Sequence, residues 1–217
     1  MPYHVKEIFL TIQGEGQHTG RVAVFLRFAG CNLWSGREED RSKGPSCSRW
    51  CDTDFRGTDG VRGGVYPDAR SLARTCKDLW PGRGDPLCVL TGGEPLLQVD
   101  EELAWALRTH GFARHVETNG TIPFPLEWFD WVTLSPKAGA PVKILLAHEV
   151  KLVHPQEGVD PADWINFPAQ HHSLQPLGGP TLDSATCQDY LRQTIRYCLE
   201  NPRWSLSLQT HKFIGLP

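Results

Sequence analysis

The sequence contains no long apolar run and no large excess of charge of either sign. Its 22 Lys and Arg residues and 25 Asp and Glu residues leave a net charge of −3. This balance excludes a nucleic-acid binder that relies on bulk positive charge, although a local basic patch stays open. No apolar stretch approaches the roughly 18 residues that a membrane-spanning helix needs. The N-terminal residues 1–6 also lack the apolar segment of a secretory signal peptide. We therefore expect a cytoplasmic protein without a membrane or nucleic-acid partner.

Repeats, low-complexity segments and linkers are equally absent, so we expect a single domain over residues 1–217. Apolar residues make up 40% of the chain and charged residues 22%, which is typical of a globular protein with a buried core. The seven cysteines are an odd number, in a chain too large to need disulfides and expected in a reducing compartment. Metal binding or catalysis therefore explains part of them better than a disulfide framework.

Four of the cysteines occupy positions typical of a hydrophobic core. They are Cys76, Cys88, Cys187 and Cys198. The first lies on the apolar stripe of a predicted helix, residues 68–80, and the second lies in a short apolar strand, residues 87–90. The last two belong to a predicted helix over residues 184–200. Leu191 and Ile195 share their face of that helix, so we expect this face to pack on the core.

Cys31, Cys47 and Cys51 lie instead in a polar segment, residues 30–64, that follows the strand-like run 22–28. Thiols on a long loop that leaves a strand are good ligands for soft metals. Fifteen and then three residues separate them, and this spacing leaves two kinds of site open. One is a zinc ion with a histidine as the fourth ligand, and the other is a 4Fe–4S cluster with one iron left open. The nine histidines show no metal-binding spacing and are interpreted as surface or packing residues.

Further motifs follow in a fixed order along the chain. Thr91-Gly92-Gly93-Glu94-Pro95 comes directly after the apolar strand 87–90. The other segments are FLTIQGEG (9–16), TG (19–20), FLR (25–27), GCNLW (30–34), CDTD (51–54), ETNG (117–120), LSPK (134–137), EVK (149–151) and LQP (174–176). From residue 7 to the C-terminus, this ordered set resembles the 7-carboxy-7-deazaguanine synthase family of radical S-adenosylmethionine (SAM) enzymes.

The pattern of apolar runs predicts an α/β fold. Strand-like runs occur at 22–28, 87–90, 113–117, 131–134, 149–153 and 204–208, and convincing helices at 68–80, 100–110 and 184–200. Prolines punctuate the stretch between 117 and 184, where loops replace helices. We expect a parallel sheet in an incomplete, trimmed TIM-like (β/α) barrel of the radical SAM type, with a cluster-binding loop inserted at about residues 31–64.

The resemblance implies that Cys31, Cys47 and Cys51 hold a 4Fe–4S cluster whose fourth iron binds SAM. The usual radical SAM motif has two residues between its second and third cysteines, whereas residues 48–50 make three here. Trp50 keeps the aromatic residue that precedes the last cysteine, and we expect the loop to absorb the extra residue. The implied SAM-binding residues are Trp50, Gly92, Gly93, Glu94, Ser135, Pro136, Lys137, Gln175 and Pro176.

The substrate implied by the resemblance is 6-carboxy-5,6,7,8-tetrahydropterin, which presents a guanidine-like edge and a carboxylate. A site for it needs acceptors for the first and a cation for the second. Arg27 points away from Leu26 and Phe28 on its strand, and an unpaired charge inside a barrel favours a ligand role. The expected substrate-binding residues are Ile12, Gln13, Gly14, Glu15, Arg27, Thr91 and Pro217. Thr53 matches a threonine that binds Mg²⁺ in this family.

The C-terminal segment, residues 209–217, is too apolar to extend into solvent. It follows the predicted strand 204–208. We hypothesise that it folds back over the substrate pocket, so that the carboxylate of Pro217 meets the guanidine-like edge of the substrate.

The implied activity is a lyase reaction of queuosine or 7-deazapurine biosynthesis. A 5′-deoxyadenosyl radical abstracts hydrogen from C6 of the pterin, the ring contracts and ammonia leaves to give 7-carboxy-7-deazaguanine. The implied partners are an electron donor such as flavodoxin or ferredoxin and a second copy of the chain in a homodimer. Two alternatives stay open: a radical SAM activating enzyme that places a glycyl radical on a protein, and a zinc-binding structural protein.

Overall fold

Nine strands form one sheet in the structure, a computed structural model that describes residues 1–216. The strands are β1 (Tyr3–Ile12), β2 (Val22–Phe28), β3 (Gly64–Tyr66), β4 (Leu87–Gly92), β5 (Ala113–Thr118), β6 (Trp131–Leu134), β7 (Glu149–His154), β8 (His171–Pro176) and β9 (Ser205–Leu206). Their order is β3-β1-β2-β4-β5-β6-β7-β8-β9. Pairs from β2 to β9 are parallel, while β1 pairs antiparallel with β2 and β3. Because β3 and β9 are the two edges of this sheet, it does not close, which confirms the trimmed α/β barrel.

The helices of the described chain are α1 (Ala69–Leu79), α2 (Glu101–Thr109), α3 (Pro161–Trp164), α4 (Ser184–Glu200) and α5 (Thr210–Ile214). The three longest begin after a capping aspartate. Asp68, Asp100 and Asp183 each accept a hydrogen bond from a backbone N–H in the first turn of their helix. Between β5 and β8 the only α-helix is the single turn α3, so loops replace helices there, as predicted. Across residues 1–216, no helix combines the length and the apolar character needed to span a membrane.

The hydrophobic core fills the space between the sheet and its covering helices. Cys76 of α1 and Cys88 of β4 are both fully buried in it, as predicted. Each thiol replaces a small apolar side chain, because α1 lies over the strands through its Leu72 and Cys76 face. This packing explains why the sequence spaces its apolar residues helically in α1 and continuously in β4.

The predicted packing face of α4 is partly wrong. Ile195 is 38% exposed, whereas Thr194 is fully buried and Cys198 packs against the core. Ile195 lies about 80° around the helix from Cys187, at the edge of the contact face. Thr194 takes its place because its hydroxyl donates to the backbone oxygen of His154 at 3.0 Å. A hydrogen-bonded threonine is therefore preferred to an apolar residue at the centre of this contact.

Three strands of the structure were not predicted from the sequence, and one predicted strand is shorter than expected. β1 and β3 form the antiparallel edge, and β8 lies between β7 and β9. The last strand covers only Ser205–Leu206 instead of residues 204–208. β8 has the sequence HHSLQP. Its polar residues do not form the apolar run that indicates a buried strand, although its four central residues are buried. Its buried side chains alternate between the hydrophobic core, where Leu174 packs, and the polar interior, where Ser173 donates to Glu149 Oε1 at 2.6 Å.

Arg114 allows a test of the packing under β5. Its side chain is buried beneath α2, and its guanidinium donates to Asp130 at 2.9 and 3.1 Å and to the backbone oxygen of Ala104. We expect Arg114→Met to lower the free energy of unfolding by about 1–3 kcal/mol, because it removes a buried fork of hydrogen bonds while Asp130 keeps access to water. Equilibrium urea unfolding measures this.

The matched control for Arg114→Met is Arg192→Met. Arg192 is exposed on α4 and contacts Asp189 at 3.8 Å, and exposed pairs of this kind contribute about 0–1 kcal/mol. Equal losses in the two variants would contradict a special role of the buried pair.

Candidate active site

A cavity of about 440 Å³ opens at the carboxyl ends of the parallel strands, where β/α barrels carry their active sites. Most of the predicted site residues line it. These are Ile12, Gln13, Gly14, Glu15, Arg27, Cys31, Cys47, Trp50, Cys51, Thr53, Thr91, Gly92, Gly93, Ser135, Lys137 and Gln175. Pro217 lies outside the described residues. The structure thus brings together residues that are up to 163 positions apart, from Ile12 to Gln175.

The three cysteines of the polar loop reach the same cavity. Cys31 follows the end of β2, and Cys47 lies in a 3₁₀ turn, Ser46–Arg49. The backbone N–H of Cys51 donates to the backbone oxygen of Cys47 at 2.9 Å, which closes one helical turn. The extra residue between these two cysteines is therefore absorbed in a regular turn, and both thiols still line the cavity.

Burial affects two of the three cysteine thiols. Burial raises the pKa of Cys47 to about 11, although the nearby Lys137 ammonium opposes the shift. Burial also raises the pKa of Cys31. Without a metal these two groups are therefore neutral thiols at neutral pH, and a metal centre that binds their thiolates must displace protons.

A single-ion zinc site receives no support from this arrangement. Within residues 1–216, no group of three or more His, Cys, Asp or Glu side chains is placed to hold one metal ion. Zinc needs its ligands to converge on one point at about 2.0–2.3 Å. The cysteines of an iron–sulfur cluster bind different irons and need not converge in this way.

The two glycines after β4 allow the cysteine loop to approach the strand. Gly92 has a φ of +144°, and a Cβ at this position would collide with the backbone oxygen of Phe28. A Cβ on Gly93 would lie 2.6 Å from Cβ of Cys31 and would also meet the backbone oxygen of Gly30. Gly92 is therefore required by close backbone contact with the end of β2, and Gly93 by close contact with the loop that carries Cys31.

Three residues predicted to bind SAM lie behind the cavity wall: Glu94, Pro136 and Pro176. Glu94 is fully buried and accepts hydrogen bonds from Thr118 Oγ1 at 2.9 Å and from the backbone N–H of Asn119 at 2.8 Å. Burial raises its pKa, although these hydrogen bonds oppose the shift. Its carboxylate thus fastens the ends of β4 and β5 together. Pro136 lies two residues after the end of β6, and Pro176 is the last residue of β8.

One wall of the cavity combines Ser135, Lys137, Trp50 and Gln175. Lys137 Nζ donates to the backbone oxygen of Ser135 at 2.9 Å and lies 5.6 Å from the centre of the Trp50 ring. Burial lowers the pKa of Lys137. Gln175 Oε1 is buried and has no hydrogen-bond partner among residues 1–216. An unpaired buried acceptor is costly, so this atom favours a ligand with a donor group.

The floor of the cavity is acidic and contains one buried ammonium. Lys151 Nζ lies 2.5 Å from Glu15 Oε2 and 3.5 Å from Glu117 Oε1. Burial alone would raise the pKa of Glu15, but the Lys151 ammonium outweighs it and holds the pKa at about 2. Burial would lower the pKa of Lys151, and the two carboxylates raise it instead. Glu15 and Lys151 are therefore both charged at neutral pH.

Arg27 lies on the opposite side of the cavity, beside Thr91 in the register of β2 and β4. Its Nε donates to Glu7 Oε1 at 2.8 Å, so its charge is paired, as a cation inside a barrel requires. Arg27 is therefore not the unpaired charge that was expected from the sequence, although it lines the cavity. An anionic group bound beside Arg27 would contact a guanidinium whose orientation is fixed by its hydrogen bond to Glu7.

The C-terminal segment packs across the cavity, which confirms the predicted fold-back. Gln209, His211 and Lys212 line the cavity. The backbone N–H of Thr210 donates to the backbone oxygen of Gly14 at 2.9 Å, and Lys212 pairs with Asp52 beside the last cysteine. This segment therefore connects the substrate loop to the cysteine loop.

Sequence reasoning assigned no role to several lining residues. The most polar of them are Glu7, Asp52, Asp54, Glu117, Asn119, Lys151, Gln209, His211 and Lys212. Glu117 and Lys151 occur in segments that carried the family resemblance, at or near the carboxyl ends of predicted strands. That position was the available signal, because side chains at this edge of a barrel face the site.

Comparison with known proteins agrees with this geometry. No family model matches the sequence. A 7-carboxy-7-deazaguanine synthase from Bordetella pertussis is 50% identical over 218 residues, and one from Bradyrhizobium diazoefficiens is 51% identical over 217 residues; both alignments cover 100% of each chain. A crystal structure of QueE from Escherichia coli superposes with a TM-score of 0.67 and 26% identity, over 97% of this chain and 95% of that one.

The partial barrel and its cysteine-bearing loop are those of a radical SAM enzyme. Relatives this similar over their whole length identify the particular group: the chain belongs to the 7-carboxy-7-deazaguanine synthase family.

Gly93→Ala tests the contact between β4 and the cysteine loop. The added Cβ would push the Cys31 segment off the strand end, and misplacement of a site residue by about 1 Å can cost roughly 100-fold in rate. We expect the variant to retain less iron after anaerobic reconstitution with iron and sulfide, and to lose activity on the order of 10- to 100-fold. Iron analysis and visible absorbance measure the first effect.

Gly178→Ala is the matched control, because its Cβ would meet nothing closer than Gln209 Oε1 at 4.0 Å. Full iron loading of the Gly93→Ala variant would show that the close approach is not needed to hold the cysteines.

Proposed function

We propose that this enzyme converts 6-carboxy-5,6,7,8-tetrahydropterin to 7-carboxy-7-deazaguanine with loss of ammonia. The observation that carries the proposal is one cavity that combines three cysteine thiols with an acidic floor and a cationic wall. The curated relatives are named for the same product. Substrate and product differ by the elements of ammonia alone, so the overall conversion needs no net oxidant.

The cofactors of the proposal are a 4Fe–4S cluster and SAM. Cys31, Cys47 and Cys51 fit three irons of such a cluster, because their thiols border one cavity and the neighbouring glycines leave room for a ligand. When bound, the cluster and SAM would supply the 5′-deoxyadenosyl radical that abstracts hydrogen from C6 of the pterin.

The protein's own contribution is binding and the exclusion of water. Ser135, Lys137 and the backbone around Trp50 form a wall suited to SAM, whose carboxylate suits an ammonium. Gln175 Oε1 offers the unused acceptor for a donor of the nucleoside. Glu94, Pro136 and Pro176, which the family resemblance assigns to SAM, would act by fixing the strand ends that carry these groups.

The charges of the cavity would orient the pterin. The guanidine-like edge carries N–H donors and suits the floor, where Glu15 and Glu117 accept hydrogen bonds. Gln13 Nε2 donates to Glu117 Oε1 at 3.0 Å and holds this carboxylate in place. The substrate carboxylate suits the wall of Arg27, with Thr91 beside it. Ile12 and Gly14 complete the loop over this end of the pocket, and Pro217, outside the described residues, remains a predicted contact.

Mg²⁺ is the third proposed cofactor. Thr53 lines the cavity two residues after Cys51 and provides a hard hydroxyl oxygen. Mg²⁺ commonly binds through a few protein or substrate oxygens and keeps several waters. A threonine hydroxyl together with the substrate carboxylate fits this preference. The electron donor, such as flavodoxin or ferredoxin, and the homodimer also remain predictions of this proposal.

The proposal is tested by anaerobic reconstitution with iron and sulfide, followed by turnover with SAM, a reductant and the carboxylated tetrahydropterin. We expect formation of 7-carboxy-7-deazaguanine and ammonia, detected by mass spectrometry. Cys47→Ala should abolish the product, because one iron loses its thiolate ligand. Cys187→Ala should retain it, since Cys187 is a half-buried residue of α4 outside the cavity.

Two outcomes of this experiment would contradict the proposal. A colourless protein that retains zinc after reconstitution would indicate the structural alternative. Formation of 5′-deoxyadenosine that does not depend on the pterin would indicate the activating-enzyme alternative.

A further inference from the structure

A buried lysine stands between the acidic groups of the cavity floor. Lys151 projects from β7 with a side chain that is 6% exposed, and it contacts both Glu15 and Glu117. These carboxylates come from distant parts of the chain: one precedes β2, and the other lies on β5. In the described part of the chain, Lys151 is the cation that is bonded to both of them.

Each carboxylate also receives a hydrogen bond from an amide side chain. Gln13 Nε2 donates to Glu117 Oε1 at 3.0 Å, and Gln209 Nε2 donates to Glu15 Oε1 at 2.8 Å. The amides fix the direction of the carboxylates but bring no charge. Lys151 supplies the charge that makes two neighbouring carboxylates tolerable in a half-buried position.

We propose that Lys151 is a positioning residue, which holds Glu15 and Glu117 as aligned carboxylates so that the floor selects a substrate edge rich in N–H donors. This inference rests on the proposed function, because it takes the guanidine-like edge of the pterin as the group that the floor binds. A protonated glutamic acid would present a donor to this edge, and donor would face donor.

Other charged groups face this pair from the surrounding elements. Glu149, two residues before Lys151 on β7, accepts a hydrogen bond from Ser173 Oγ of β8 at 2.6 Å. His211 of α5 faces Glu15, and Lys137 faces Lys151 across the cavity. Glu149 adds a further carboxyl group beside the floor, while His211 and Lys137 line the same cavity. None of these groups replaces Lys151, which lies within hydrogen-bond distance of Glu15.

The consequence of removing Lys151 follows from its two opposing effects on Glu15. Burial raises the pKa of this carboxyl and the ammonium lowers it. With the ammonium absent, burial and the nearby Glu117 both favour the protonated form. Gln209 and His211 still favour the charged form of Glu15, but buried glutamic acids reach pKa values of roughly 8–9 in other proteins, so the pKa of Glu15 should rise towards neutral pH. Substrate binding should weaken as the pH falls and recover as it rises.

The experiment measures the equilibrium dissociation constant of 6-carboxytetrahydropterin by anaerobic calorimetry, on reconstituted protein with SAM but without reductant. Wild type and Lys151→Met are compared between about pH 6 and pH 8.5, and their ratio at each pH cancels any titration of the pterin itself. We expect Lys151→Met to bind more weakly than wild type at about pH 6. The ratio of the two dissociation constants should shrink by about tenfold or more towards pH 8.5.

Further variants isolate the role of the ammonium. Lys151→Arg keeps the positive charge. The ratio of its dissociation constant to that of wild type should therefore be the same at every pH. Glu15→Gln should weaken binding at every pH. Adding Lys151→Met to a Glu15→Gln/Glu117→Gln variant should introduce no new pH dependence, because both carboxylates that Lys151 contacts are then gone. Lys143→Met is the matched control, since Lys143 is exposed on the loop before β7; it should bind as wild type does.

A constant loss of affinity at all pH values in Lys151→Met would overturn the inference, since simple packing damage has that signature. If Lys151→Met does not fold, Glu15→Gln still tests the inference. An unchanged affinity of Glu15→Gln for the pterin would show that this carboxylate does not contribute to substrate binding. Failure of the wild-type protein to bind the pterin would instead contradict the proposed function.

Discussion

The close backbone contact between the end of β4 and the start of the cysteine loop is the constraint on which the rest of the site depends. Gly92 and Gly93 let the segment around Gly30 lie directly against the strand, and the backbone N–H of Glu94 donates to the oxygen of Gly30 at 3.1 Å. The long polar loop is thereby fixed to the rigid sheet at its first cysteine. The carboxylate of Glu94 then ties the same strand end to β5.

The charges of the cavity are arranged by sheet position rather than by sequence neighbourhood. The acids and the ammonium of the floor come from β5, β7 and the segment before β2, whereas Arg27 comes from β2. Each charged group has a partner within the protein, so little of the site must reorganise when a ligand enters. Such preorganisation is a principal source of the affinity and rate that enzymes achieve.

Much of this architecture could be predicted from the sequence, and the remainder shows where the pattern fails. The capped helices α1 and α2 and the apolar strands β2 and β4 carry strong local signals, which is why their predicted bounds lie within about two residues of those observed. β8 has no such signal, because polar side chains inside a barrel break the apolar run. Ile195 was misplaced for a related reason: helical periodicity identifies a stripe, but a hydrogen bond from Thr194 decides its centre.

The candidate site, like the fold, could be predicted only in part from the sequence. Short sequence motifs identified the residues whose backbone or thiols line the cavity, and the family resemblance assigned roles to them. Glu94 belongs to the same motif, yet it lies behind the wall, since a sequence motif does not distinguish a ligand contact from a contact that supports one. Glu117 and Lys151 acquire their meaning only from the ion pair between β5 and β7, which is a non-local contact that no local pattern reports.

The contact of the C-terminal segment with the cavity sets the order in which the site is assembled. Gln209 bonds to Glu15 across 194 positions of the chain, and Lys212 to Asp52 across 160. The entropy of closing such long loops places these contacts late in folding. The sheet and the cysteine loop involve shorter separations and precede them. During synthesis of the chain, the cysteine thiols are therefore expected to border a basin that stays open until the last segment docks.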